Sequence, residues 1–227
     1  MTLSLRTRTV IALFFVTVLS LSARAQTPAP NTTEWENEAL KLRLFYPSDL
    51  VKADPAQVVH DGQITLFGIS DPKLAEATHC LRPVLLLEAP KDSTNAATIL
   101  LAELDVNCLT PEQQNKATNL LSDMAEIVNR VPGMKSIAPP ATYTIGWQKV
   151  HMAAAQGQPQ GQPETSNAAP SPLYTMGLST NWNSHLLVWY FSSNSIDTLN
   201  RITKTTVRFG RDQAAPLYPL TIGNTTP

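Results

Sequence analysis

The sequence predicts an α+β domain in which a mostly antiparallel sheet is flanked by two amphipathic helices. Short apolar or alternating runs recur between residues 34 and 192, separated by turn sequences of hairpin length, which antiparallel pairs permit and parallel pairs do not. Two other segments, Pro111–Arg130 and Ser195–Val207, repeat their apolar residues at helical spacing and present one apolar face each. These two segments are well separated along the chain, so the helices are expected to cover a sheet rather than alternate with its strands.

The chain opens on a basic pair, Arg6 and Arg8, an apolar run from Val10 to Leu21, and the small-x-small triplet Ala23-Arg24-Ala25. That order predicts an export signal over residues 1–25 and a mature start at Gln26. The apolar run falls well short of the roughly 20 residues that span a bilayer, and no later run approaches that length. No integral membrane span is therefore expected after cleavage, and the predicted destination is secreted or periplasmic. Residues 26–33, with Pro28 and Pro30, read as a tether, and residues 34–210 as one domain.

Within that domain, Glu34-Trp35-Glu36-Asn37 reads as a short edge strand. Leu40, Leu42, Leu44 and Tyr46 alternate with Lys41 and Arg43, predicting a half-buried strand stopped by Pro47. Ile64–Ile69 reads as a further strand, followed by a short helical turn near Leu74–Thr78. Val84–Ala89 and Thr98–Leu104 form the next hairpin about the turn sequence Pro90–Asn95. Thr110 then suits a helix N-cap, Pro111 the first helical position, and Gln113 completes a capping box. Ala117, Leu120, Leu121, Met124, Ile127, Val128 and Val131 fall on one face of that helix, and Pro132-Gly133 ends it.

Thr142–Met152 is expected to be one long strand carrying Tyr143, Ile145 and Trp147. Residues 155–172, with Gln-Gly-Gln-Pro repeated at 156–159 and 160–163, are too polar and proline-rich to bury and read as a flexible loop. Leu173–Thr180 and Leu186–Ser192 make the last hairpin around Asn181-Trp182-Asn183-Ser184. Ile196, Leu199, Ile202 and Val207 are the inward residues of the second helix, and residues 211–227 are expected to be an extended tail.

Only two cysteines are present, Cys80 and Cys108. In an exported chain they meet an oxidising environment. Folding the 84–104 hairpin about residue 94 places them opposite one another, within disulfide range. A loop of that size is worth roughly 3.5 kcal/mol on the chain-entropy account. Redox work usually uses Cys-x-x-Cys, which is absent, and a zinc site needs four ligands where only His79 adjoins. A structural disulfide is the expected state.

Charge excludes one class of partner. Cleavage after Ala25 removes Arg6, Arg8 and Arg24, taking 17 basic residues to 14 against 18 acidic ones. A chain acidic by that margin, with no basic cluster in its sequence, has little with which to neutralise phosphates, so no nucleic acid is expected as partner.

Two segments resemble PsbP-like domains: Phe45-Tyr46-Pro47-Ser48-Asp49-Leu50 closing an early strand, and the closing order of long hairpin, Ser192-Ser193-Asn194-Ser195, and amphipathic helix ending in Val207-Arg208-Phe209. The resemblance implies an antiparallel sheet sandwiched by helices. The family commonly carries tryptophan where Leu50 stands and lacks the Gln-Gly-Pro loop as a rule. It includes photosystem extrinsic subunits, a Ran-binding import factor and secreted bacterial proteins of unknown role, so it implies a fold and assigns no functional residue.

Chemical motifs are few. Gly177-Leu178-Ser179-Thr180-Asn181 lacks the second glycine of a nucleophile elbow, and neither a phosphate-binding glycine loop nor His-Glu-x-x-His is present. His60, His79, His151 and His185 show no ligand spacing and read as surface residues. Glu34, Glu36 and Glu38 alternate on one face of an extended segment, as an exposed charged edge does. Trp189 and Phe191 should face one side of the last hairpin and Tyr190 the other, leaving Trp182 at its tip, with Asn181 and Asn183, as the expected partner contact. No catalytic residue, cofactor or metal ligand is expected. The function expected is that of an exported, soluble, non-enzymatic protein binding a protein partner or small ligand in the envelope or outside the cell. An exported hydrolase or metal-dependent enzyme with a site assembled in space is the alternative, and a structural envelope component a third.

Overall fold

The computed structural model describes residues 31–60, 63–66, 76–112, 119–158 and 172–223. The segment expected to be an export signal, the 159–171 part of the Gln/Gly/Pro segment, Gln113 and Ala117 lie outside these residues. The architecture is α+β, built mostly of antiparallel strands. Seven strands form the main sheet in the order β3 (Val51–Ala53), β6 (Leu81–Glu88), β7 (Ala97–Leu104), β11 (His185–Ser193), β10 (Leu173–Trp182), β9 (Gln148–Gly157) and β8 (Met134–Ile145). A second sheet runs β1 (Thr32–Asn37), β2 (Leu42–Pro47), β12 (Thr206–Phe209) and β13 (Ala215–Pro216), while β4 (Val59–His60) and β5 (Gln63–Ile64) pair alone.

Side-chain alternation gives the main sheet two apolar faces. On one, Leu85, Leu87, Ile99, Leu101, Trp189 and Phe191 meet Leu42, Leu44, Val207 and Phe209 of the small sheet, together with the helix α2 (Ile196–Ile202). On the other, Leu86, Leu100, Val188 and Tyr190 meet Met124, Ile127 and Val128 of the helix α1 (Leu120–Arg130). The two helices thus flank opposite faces, as the sequence predicts, and Trp189 and Tyr190 divide between those faces as expected. Small residues admit α1 closely. A Cβ on Gly177 of β10 would collide with the Ala125 carbonyl. Ser179 donates a hydrogen bond to the Leu121 carbonyl, and the Tyr190 hydroxyl one to the Met124 carbonyl at 2.9 Å.

Several elements differ from expectation. The expected strand Thr142–Met152 is a hairpin: β8 ends at Ile145, Gly146 turns at φ +57°, and β9 begins at Gln148. The β8 segment 134–141 escapes sequence reading because Pro139-Pro140 lies in it. Both prolines are tolerated because β8 is an edge strand whose register shifts on either side of Ala138. Strand β9 continues to Gly157, into the segment expected to be loop from residue 155. Pro111 and Glu112 are helical as expected, residues 113–118 lie outside the described residues, and the helix from Leu120 follows Asn119, whose side chain makes no capping hydrogen bond. The second helix ends at Ile202 rather than Val207. Ser195 Oγ accepts from Thr198 N at its start, and Val207 is buried from a strand instead.

The stretch beyond Arg211 is part of the core. Leu217, Tyr218 and Ile222 are buried, and Asn200 ties the segment down by donating from Nδ2 to the Ile222 carbonyl at 3.0 Å and accepting from Ile222 N at 2.8 Å. The β6–β7 register is also not the one expected. Leu81 pairs with Leu104 and Glu88 with Thr98, so the ladder stops before Cys108. The Cys80–Cys108 disulfide forms nonetheless, with Cα atoms 5.5 Å apart, because the 3-10 turn Val106–Cys108 carries Cys108 back to the strand end. Asp105 makes that turn: its carboxylate accepts from Asn107 N and its own N–H donates to the Cys80 carbonyl at 2.9 Å.

Candidate binding surface at the hairpin end

Three turns converge at one end of the fold. The β10–β11 hairpin reverses through Asn183 and Ser184, both at positive φ, and the Gly146-Trp147 turn lies beside it. The adjacency is fixed by the β9–β10 pairing out to Val150 and Thr180, whose Oγ1 donates to the Lys149 carbonyl at 2.7 Å. The third, Glu38–Lys41, joins β1 to β2, and its Lys41 carbonyl accepts from Gly210 N at 2.9 Å.

Trp182 holds these together and is not the free contact expected. Its indole N–H donates to the Leu40 carbonyl at 2.7 Å, and its ring packs on Phe209 with centroids 5.2 Å apart. A Cβ on Gly210 would come within 3.2 Å of the same ring, so glycine there admits the tryptophan. Asn181 and Asn183 are exposed as expected, though Asn183 has a turn-forming reason to be asparagine, since its φ is +50°. The tryptophan that does face solvent is Trp147, 90% exposed. Sequence reading missed it because the position was assigned to mid-strand; the Gly146-Trp147 pair, a glycine inside an alternating run, was the available signal.

Beside Trp182 lies a groove of about 510 Å³ lined by Glu36, Glu38, Lys41, Arg43, Arg208, Gly210 and Arg211. It occupies the outer face of the small sheet, where β1 and β2 place Glu36 opposite Arg43, and β2 and β12 place Arg43 opposite Arg208. Two members of the predicted acidic edge are engaged: Glu36 accepts from Arg43 at 2.8 Å and Glu34 at 3.2 Å. Among the described residues no carboxylate pairs with Arg208. Its guanidinium sits 5.7 Å from the centre of the Phe45 ring, and its Nε is buried without an acceptor. At the Gly146-Trp147 turn, a Cβ on Gly146 would lie 3.6 Å from the carboxylate of Asp212, the residue after Arg211.

A second groove, about 830 Å³, runs between Phe45, Pro47 and α2, but its principal charges satisfy one another. Arg201 donates to Asp49 at 2.7 Å, and that hydrogen bond holds the Asp49 carboxyl below its ordinary range.

The histidines occupy separate elements. His60 lies in β4, while His151 is half-buried on β9, where burial chiefly, with Lys149 nearby, lowers its pKa. His185, about a third exposed, pairs with Glu103 at 2.5 Å. His79 is exposed, with Nδ1 2.6 Å from the Glu76 carbonyl and Nε2 3.1 Å from Cys80 Sγ. Among the described residues His79, Cys80 and Cys108 are the one group close enough to share a metal ion, and the disulfide already occupies both sulfurs. No helix among the described residues is long and apolar enough to cross a membrane.

Neither a protein-family model nor a curated protein matches the chain. Solved structures similar to it include cyanobacterial PsbP (CyanoP) from Synechocystis sp. PCC 6803, at 9% identity and a TM-score of 0.41, over 76% of this chain and 85% of that one. A Pseudomonas aeruginosa protein of unknown function is similar at 12% identity and a TM-score of 0.31, over 71% and 82%. LpqN of Mycobacterium tuberculosis, involved in cell envelope biogenesis, is similar at 13% identity and a TM-score of 0.34, over 56% and 78%. Nothing about partners or activity passes to this chain from these likenesses.

Proposed function

We propose that the chain is an exported, non-enzymatic binding protein of the envelope or the extracellular space, and that it meets a protein partner through the hairpin end of the fold. The observation that carries this reading is Trp147, 90% exposed on the β8–β9 turn at the hairpin end. Turn geometry does not require a tryptophan there, because the positive φ falls on Gly146. Full burial of an indole would gain on the order of 5 kcal/mol, which makes Trp147 a natural interface anchor. Asn181 and Asn183 widen the same surface. The Cys80–Cys108 bond supports the compartment, since such bonds persist in oxidising surroundings.

A photo-crosslinking amino acid in place of Trp147 tests the reading in the producing cell, with the same group at exposed Lys91, in the β6–β7 turn at the other end of the sheet, as control. We expect a discrete adduct at position 147 that is missing at position 91, on a protein whose intact mass begins at Gln26. The same adducts from both positions, or none from 147, would reject the surface; a mass retaining residues 1–25 would reject export. Trp147→Ala should leave stability within about 0.5 kcal/mol of the parent while abolishing the adduct partner's co-purification.

A further inference from the structure

We infer that the groove beside Trp182 is a binding site for a phosphate group, with Arg208 as its principal ligand and Arg211 and Lys41 closing it. Three observations converge. Arg43 and Arg208 stand directly opposite one another on β2 and β12, a like-charge pairing that strands avoid unless something neutralises it. Glu34 and Glu36 both go to Arg43, so the neutralisation is one-sided and Arg208 is left with an aromatic face alone. Its buried Nε has no acceptor, so the guanidinium as it lies leaves a charged donor unsatisfied. An oxyanion entering the groove gives that side chain reason to turn off Phe45 and present its Nε–Nη edge as a fork, the geometry in which arginine binds phosphate.

The remaining cations are held by backbone rather than chance. Lys41 and Arg211 sit on the two turns joined by the Gly210 N to Lys41 carbonyl bond, and Trp182 braces that joint from behind. With Glu34 counted beside Glu36 and Glu38, Lys41, Arg43, Arg208 and Arg211 still leave one positive charge in excess, on a chain whose formal charge is −1. A space of about 510 Å³ leaves room for a phosphate ester carrying an organic body. The cluster was invisible in the sequence, where its members are spread from residue 41 to residue 211. This site goes beyond the protein-binding surface proposed at Trp147 and does not depend on it. The two separate experimentally, because a small-anion titration does not involve Trp147.

The test is a titration of the full protein with inorganic phosphate and with glycerol phosphate at constant ionic strength. The readouts are the Arg208 Nε–H and Trp182 indole N–H resonances. Saturable shifts of both are expected, with apparent affinity at least about tenfold weaker in Arg208→Gln, the loss of one charge-assisted pair. Arg211→Gln, an exposed turn substitution that cannot unfold the protein, should weaken binding as well. Vesicles of phosphatidylglycerol, compared with phosphatidylcholine, distinguish the source: vesicle binding lost in Arg208→Gln assigns a lipid headgroup, and its absence beside a saturable glycerol phosphate response assigns a soluble ester. Shifts that never saturate, or that are equal in parent and both variants, would overturn the site.

Discussion

Replacing Cys80 and Cys108 together with alanine is expected to lower the unfolding free energy by about 3.5 kcal/mol and the melting midpoint on the order of 10 °C. The bond closes a loop of 28 residues, which sets the entropy released to the unfolded chain when the bond is removed. It also acts where the fold has little else to hold it. The β6–β7 ladder ends at Leu81 and Leu104, and past it the chain is kept in place by the 3-10 turn, the Asp105 N–H to Cys80 carbonyl bond and the Arg82–Asp105 ion pair. Arg82 is largely exposed, so that ion pair adds little. Cys80 itself is buried against the α1-side core, while Cys108 is exposed and open to reductant. Urea unfolding of oxidised protein, reduced protein and the double variant checks the expectation. Reduction should bring the parent to the double variant, and coincident midpoints for oxidised parent and double variant would refute a stabilising bond.

The second large effect is expected at Gly177. Gly177→Ala should cost about 3 kcal/mol, the upper part of the range for overpacking, because the new methyl meets backbone and not a side chain that can turn away. The added Cβ would collide with the Ala125 carbonyl oxygen in mid-helix, so α1 has to lift from β10. Lifting it weakens the hydrogen bonds from Ser179 and Tyr190 to the Leu121 and Met124 carbonyls and loosens Ile127 and Val128, which are fully buried. Gly223→Ala, where a Cβ meets nothing within 4 Å, is the matched control and should be neutral. Equal melting midpoints for the two variants would show that α1 is not pressed against the sheet.

The fold was legible where side-chain periodicity and burial agree. The helices at 120–130 and 196–202, the last hairpin, and the split of Trp189 and Phe191 from Tyr190 all follow from spacing alone. Periodicity failed where backbone chemistry decides. Gly146 reverses the chain inside an unbroken alternation, and Pro139-Pro140 disguises a strand that tolerates them at a sheet edge. The disulfide was reached through a register two to three residues out, since a turn after the ladder cannot be read from the strands before it. At the candidate site sequence reading put Trp182 outside because a hairpin tip is ordinarily solvated. It could not see that the Lys41 and Gly210 turns, distant in sequence, would cover that tip. The arginine groove has the same origin, a register between β2 and β12 that unites residues some 165 apart in number.

That union bears on when the protein can fold. Strand β2 gains its inner neighbour only from β12, and the core behind it is completed by Leu217, Tyr218 and Ile222. The β1–β2 hairpin made early in synthesis has no partner of its own to bury Leu42 and Leu44 against, and isolated hairpins are marginal in water. Contacts of such long sequence separation slow folding, because loop closure must precede the burial that rewards it. The small sheet and the core behind it are therefore completed last, after residues near 217 have been made, whereas the main sheet and α1 draw on residues 51–193 alone.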